Sequence, residues 1–137
     1  MQPITAEARI TGVPIQGVVR FLQKRDGVLV TAQITGLPES GFFGFHIHEG
    51  RNCGGPDFGD TGSHFNPQNA AHPDHAGDLP PLLSAGGKAY LSVLTNRFSL
   101  AQVMGRTVVI HSDTDDFTTQ PAGNSGEKIA CGVICPV

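Results

Sequence analysis

The 137-residue chain has no tryptophan and one tyrosine, and Asp, Glu, Lys and Arg together make up only 15% of it. Twelve acidic residues against nine basic ones leave a net charge of −3, so there is no basic footprint for a nucleic-acid backbone. No apolar run approaches the roughly 18 residues that carry a helix across a bilayer. Neither nucleic acid nor a membrane is therefore an expected partner. The opening residues, Met1-Gln-Pro-Ile-Thr-Ala-Glu7, lack the basic and apolar regions of a secretory signal. Two expectations follow: a chain that stays in the cytoplasm, or a mature domain restarted at a methionine. Sustained helical periodicity is missing, as are internal repeats and low-complexity segments. The 18 glycines and 10 prolines suit short strands joined by many turns. The length is that of a single domain, residues 1–137, with one hydrophobic core.

Strand signals come in order. Ala6–Thr11, Ile15–Gln23 and Val28–Thr35 alternate apolar with polar residues, and the second and third are separated by the Asp26-Gly27 hairpin dipeptide. Phe42–Glu49 reads as a fourth strand. From Gly50 to about Gly86 no period of 2 or 3.6 persists, an unusual length for a structureless loop in a compact domain unless it is functional or disordered. Strand character returns at Lys88–Thr95, weakly at Phe98–Val103, and strongly at Arg106–His111 and Lys128–Ile134. A second irregular loop covers Ser112–Gly126. About eight short strands predict an all-β fold, an antiparallel Greek-key sandwich or barrel of immunoglobulin-like architecture with two long loops.

The chemistry-bearing residues are the histidines. On a strand, alternate side chains share a face, so His46 and His48 point together with Ile47 turned away. Alone, such a pair is an ordinary surface feature. The chain has six histidines, however, and each falls in a ligand-like setting. His72-x-x-His75-x-x-Asp78, with His64 upstream, offers three imidazoles and a carboxylate, a full tetrahedral set for structural zinc. His46, His48 and His111 lack partners. Adding His64 gives four nitrogen donors, a set that suits tetragonal Cu(II). Both sites then need His64, and a fully deprotonated imidazole has two ring nitrogens with which to bridge two cations. Cys53, Cys131 and Cys135 permit one disulfide and one free thiol.

The chain resembles the copper/zinc superoxide dismutases along nearly its whole length. The resemblance rests on Gly44-Phe-His-Ile-His-Glu49, Gly62-Ser-His-Phe-Asn-Pro67, His75-Ala-Gly-Asp-Leu-Pro80, Gly105–His111, and Gly123-Asn-Ser-Gly126 running into Ala130-Cys-Gly-Val-Ile134. It implies a copper ion on His46, His48, His64 and His111, and a zinc ion on His64, His72, His75 and Asp78. It further implies that His64 takes part in catalysis, and that Asp115 links a copper histidine to a zinc histidine. The family disulfide would join Cys53 to Cys131 and leave Cys135 as a free terminal thiol. Cys135 shares the face of Cys131 on a continuing strand, which keeps a Cys53–Cys135 pairing as the alternative. The implied reaction converts two superoxide anions to dioxygen and hydrogen peroxide while copper cycles between Cu(II) and Cu(I).

Two departures from the family pattern stand out. Lys128 occupies the place of the arginine beside the copper, which keeps the charge but loses the planar fork of donors. The Ser112–Gly126 loop is shorter than in the animal enzymes and carries no lysine or arginine of its own, which weakens long-range anion steering. The expectation is activity at reduced efficiency. The rival readings are a copper-storing or copper-delivering module and a zinc-stabilised sandwich with a vestigial His-x-His pair. Implied partners are the superoxide anion, a copper donor and a second copy in a homodimer. A persistent disulfide favours an extracellular or cell-envelope location, with the signal peptide lying outside this chain, and the cytoplasm is the alternative.

Overall fold

In the computed structural model, which describes residues 4–137, alternating patterns become strands: β1 (Thr5–Gly12), β2 (Gln16–Lys24), β3 (Gly27–Thr35), β4 (Ser40–Phe43), β5 (Phe45–His48), β6 (Leu82–Ala85), β7 (Ala89–Thr95), β8 (Thr107–His111) and β9 (Lys128–Pro136). The expected all-β antiparallel architecture forms. Seven strands, ordered β5-β8-β9-β1-β2-β3-β7, make one curled sheet, and β4 pairs with β6 in a two-stranded ribbon. Ala6, Ala8 and Ile10 on β1, Val19 and Phe21 on β2, and Val28, Val30, Ala32 and Ile34 on β3 turn inward to one core. The alternation reflects the period-2 geometry of strands with one wet face.

The structure departs from the sequence-based expectation in four places. Phe42–Glu49 is not one strand: it breaks at Gly44, and the halves join different sheets. Gly44 donates its N–H to Asp113 O (3.0 Å) and accepts from His111 N (2.8 Å), so its backbone serves the second loop's entry. A Cβ there would lie 2.7 Å from Ser125 Oγ, a close approach that demands glycine. The weak strand at Phe98–Val103 is instead the short helix α1 (Leu100–Val103). Gln102 Oε1 accepts the N–H of Ser99 (2.8 Å), one half of a Ser-x-x-Gln capping box. Within the expected irregular stretch, Leu82–Ala85 forms β6, four residues that are too few to display a period. Finally, β9 carries a bulge. Ile110 opposes Ala130, but His111 opposes Lys128, so one residue of β9 is extra. Paired residues of antiparallel strands share a face. The bulge thereby brings Lys128 to the side occupied by His111.

The long loop after β5 is not loose. It folds back onto the free edge of β5 through Ile47 N to Gly77 O (2.8 Å) and Phe65 N to Ile47 O (2.8 Å). Isolated bridges set Asp78 opposite His46 and His64 opposite His48. Gly77 passes so close to the Ile47 carbonyl that a Cβ would collide with it. A disulfide between Cys53 and Cys131, with a Cα separation of 5.9 Å, anchors the same loop to β9. The exposed Cys135 is unpaired among the described residues.

Candidate metal centre

All six histidines are buried, none more than 6% exposed. Buried imidazoles need partners, and the partners fix which nitrogen of each ring is free. Asp115 Oδ2 lies 2.7 Å from His46 Nε2, and Oδ1 lies 2.7 Å from His72 Nε2. A carboxylate accepts, so both Nε2 atoms carry a proton, and it is the Nδ1 atoms that are left to face inward. Gly62 O lies 2.8 Å from His48 Nδ1 and Gly126 O lies 3.5 Å from His111 Nδ1. Carbonyls likewise only accept. The two Nε2 atoms of His48 and His111 are then both unprotonated, yet they sit 3.1 Å apart. Two lone pairs facing each other at that distance call for a cation between them.

His46, His48, His64 and His111 each bring one ligand atom within 4.8 Å of the others. The pair on β5 shares a face, as the strand geometry requires, while Ile47 enters the core. A second cluster lies behind it. His64 Nδ1 is 2.8 Å from Asp78 Oδ1 and 3.2 Å from His75 Nδ1. His75 Nδ1 and His72 Nδ1 are 3.2 Å and 3.1 Å from Asp78 Oδ2. Four ligands about 2.05 Å from a tetrahedral zinc are separated by about 3.3 Å, so these spacings fit within a few tenths of an ångström. His46 also comes within 4.8 Å of His64, His72 and Asp78, because its ring stacks on His64 with centroids 4.0 Å apart. His75 Nδ1, however, lies 3.2 Å from both His64 Nδ1 and Asp78 Oδ2, which gives the second cluster its fourth donor without His46.

Among the described residues, the buried side-chain atoms without a hydrogen-bond partner are His46 Nδ1, His64 Nε2 and His72 Nδ1. A buried orphan costs about 1–3 kcal/mol. Two of these atoms face the all-histidine group and one faces the Asp78 group, so two cations sharing His64 account for all three. The donor chemistry fits as well, with nitrogen alone on one side, and nitrogen plus one carboxylate oxygen on the other.

Protonation is already arranged for metal binding. Burial, reinforced by His46 and His64, pushes His111 down to about 3. Burial likewise lowers His46 and His75, and takes His48 well below its ordinary value. These rings are neutral at pH 7 and have no proton to give up on binding. Burial pushes Asp115 upward, but hydrogen bonds from His46, His72 and the Phe117 amide outweigh it and hold the carboxyl well below the carboxylate range. Asp78 is also held low, because His64, His72 and His75 outweigh its burial.

Lys128 reaches the same cleft, of about 470 Å³, together with His48, His64 and His111. Its Nζ donates to Thr61 Oγ1 (2.7 Å) and Gly62 O (2.9 Å). Burial lowers its pKa. Three further contacts had no counterpart in the sequence reading. Gln120 pairs with the backbone of His72 in both directions, accepting from its N–H (2.8 Å) and donating to its carbonyl (2.7 Å). Arg97 Nη1 donates to Pro73 O (2.6 Å), bracing the turn between His72 and His75. Arg106 donates to Glu49 O (2.8 Å) and lies 4.6 Å over the Phe65 ring, which steadies the residues after His48 and His64. These side chains act on loop carbonyls, and no spacing rule in the sequence announces them. For Arg106 alone a signal existed, since it lies inside the Gly105–His111 motif.

The family model of copper/zinc superoxide dismutase matches residues 15–134. The chain is 39% identical over 141 residues to Superoxide dismutase (Cu-Zn) of Deinococcus radiodurans, covering 88% of this chain and 77% of that one. It is 40% identical over 141 residues to Superoxide dismutase (Cu-Zn) A of Xenopus laevis, covering 89% and 91%. The crystal structure of the clock protein EA4 superposes with a TM-score of 0.89 at 35% identity, covering 100% and 97%. That of a double mutant of a SOD-like protein from Bacillus subtilis superposes at 0.82 and 30% identity, covering 94% and 96%. With both histidine clusters present and His64 common to them, this chain belongs to the copper/zinc superoxide dismutase family.

Proposed function

We propose that the protein is a superoxide dismutase that converts two superoxide anions and two protons to dioxygen and hydrogen peroxide. The observation that carries this reading is the pair of buried donor clusters that meet at His64. When bound, copper on His46, His48, His64 and His111 supplies one-electron redox chemistry, and zinc on His64, His72, His75 and Asp78 supplies a fixed charge.

The chain's own residues prepare the site. Asp115 holds His46 and His72 by their Nε2–H groups, which aims both Nδ1 atoms inward. Gly62 O does the same for His48 from the opposite nitrogen. His64 is oriented through Nδ1 by Asp78, so its Nε2 is the buried atom that can take up a proton and hand it to the reduced product. Lys128 places a positive charge at the cleft, where it holds a small anion against the bare face of His48 and His111. Burial of all six rings limits the water that reaches them.

The test is the dismutation rate per bound copper in protein reconstituted with both metals, measured beside Lys128→Arg. Turnover in the parent, rising with arginine and falling with salt, is the expected outcome. Full copper loading with negligible turnover in both proteins would overturn it in favour of a copper-binding module.

A further inference from the structure

A lysine ammonium is a compact charge on a flexible stem, and three N–H donors rotate freely at its end. In this protein that freedom is removed. Thr61 is fully buried, at the end of the 3₁₀ segment Pro56–Thr61. Its hydroxyl donates to Phe58 O (2.9 Å), which fixes the rotor and turns a lone pair toward Lys128 Nζ, 2.7 Å away. The neighbouring carbonyl of Gly62 accepts from the same ammonium (2.9 Å) and also from His48 Nδ1 (2.8 Å). The Thr61 backbone is itself held by Gly50 N, which donates to Thr61 O (2.8 Å). Two of the three N–H donors are thus committed to fixed acceptors. The third is left for the cleft, whose other walls include His48, His64 and His111.

We propose that Thr61 is a positioning residue: its hydroxyl, with the Gly62 carbonyl, locks the Lys128 ammonium so that one N–H faces a small anion entering the metal cleft. The charge of Lys128 alone would attract such an anion. The lock decides where the charge stands and saves the rotamer entropy that a free lysine would lose on binding. Superoxide as the anion rests on the dismutase reading, whereas the lock is a property of the cleft toward any small linear anion.

The experiment is an optical titration of the copper- and zinc-reconstituted protein with azide. It compares the parent, Thr61→Val, Thr61→Ser, Lys128→Met and the double variant Thr61→Val/Lys128→Met. Thr61→Val should weaken azide roughly three- to tenfold, with the copper electron paramagnetic resonance spectrum unaltered. Thr61→Ser, which keeps the hydroxyl, should bind as the parent does. In the Lys128→Met background, Thr61→Val should cause no further loss, because the partner it acts through is gone. An azide affinity within twofold of the parent in Thr61→Val would overturn the proposal. So would an equal loss with and without Lys128, which would assign Thr61 to loop structure only. A variant-free check uses the parent carrying zinc alone. A locked ammonium should give a ¹⁵N–¹H signal that survives exchange with water at pH 7, and its absence would overturn the lock. Should the azide pattern hold in a protein that shows no dismutation, the lock stands and the dismutase reading falls.

Discussion

Asp115→Asn isolates one feature of the centre, since it changes the volume little and removes one of two acceptor oxygens. In the parent, Oδ2 takes the His46 N–H and Oδ1 takes both the His72 N–H and the Phe117 amide. The asparagine amide offers one oxygen and one NH₂, so one imidazole N–H must face a donor. Relief requires that ring to turn away or to move its proton to Nδ1, the atom aimed at the metal. His46 cannot turn easily, because β5 is paired to β8 on one edge and to the loop on the other. His72 sits in the loop, where its backbone is held by the Gln120 side chain in place of a strand ladder, so it yields before His46 does. The strain should therefore appear at the His64–His72–His75–Asp78 cluster. Loss of a carboxylate that orients a ligand histidine costs 10- to 100-fold in metal affinity, about 1.4 to 2.7 kcal/mol. Competition with a chromophoric chelator, run separately for zinc and copper, measures it. Zinc affinity should fall by that factor, and copper affinity by less. Zinc affinity within threefold of the parent would refute the orienting role, and a larger loss for copper would refute the argument that the loop yields first.

Cys53→Ala opens a disulfide that spans 78 residues, and in the chain-entropy model such a closure contributes on the order of 4 kcal/mol. Denaturant unfolding of the metal-free protein should show a loss of that size, and a loss below about 1 kcal/mol would mean that the loop is held by its other contacts. Acid should destabilise the metal-free protein in a defined window. His111 is held down at about 3 and His46, His48 and His75 are also held low, so below pH 6.5 the unfolded chain binds protons that the folded one refuses. Stability should be full above about pH 7 and fall with pH, His111 alone accounting for about 2 kcal/mol by pH 5. Asp115 and Asp78 add a further loss below about pH 4, and a melting temperature flat between pH 7 and 5 would contradict neutral buried rings. Gln120→Ala removes both hydrogen bonds to the His72 backbone and should weaken zinc several-fold while leaving copper affinity unchanged, measured by the same chelator competition.

Most strands were legible because β1, β2, β3 and β7 have a wet face and a dry one, and period 2 records that difference, while β8, buried along its whole length, was legible as a short run of β-branched residues. What escaped was set by contacts distant in sequence. The break at Gly44 exists because Asp113 and His111 claim its backbone, and nothing in Phe42–Glu49 encodes that. The bulge at β9 lies between Lys128 and Ala130, where the local sequence has no period that an extra residue could interrupt. The helix at Leu100 was readable in principle from Ser99-x-x-Gln102, yet the apolar residues beside it resembled a weak strand. The histidine clusters were legible for a different reason. Imidazoles are costly to bury without a partner, so six of them in ligand-like spacing constrain one another. Thr61, Gln120 and Arg97 were not legible, since each meets a backbone group, and Thr61 also the Lys128 ammonium, that only the folded loops bring to it.

The two clusters are supported differently, and this bears on how the site works. His46, His48 and His111 lie on β5 and β8, adjacent strands joined by a continuous ladder. His72, His75 and Asp78 lie on a loop that depends on the edge of β5, the disulfide, Arg97, Gln120 and Asp115 for its position. The sheet side is therefore formed by folding alone, while the loop side gains order from whatever its donors bind, as metal sites on loops do. His64 belongs to the loop yet faces the sheet cluster. Order at the loop cluster is then transmitted to the geometry of His64 Nε2, the atom on which proton delivery depends. Thr61 and Gly62 precede His64 on the same loop and hold Lys128. Loop order thus governs both the proton donor and the anion-facing charge, and it does so through covalently adjacent residues.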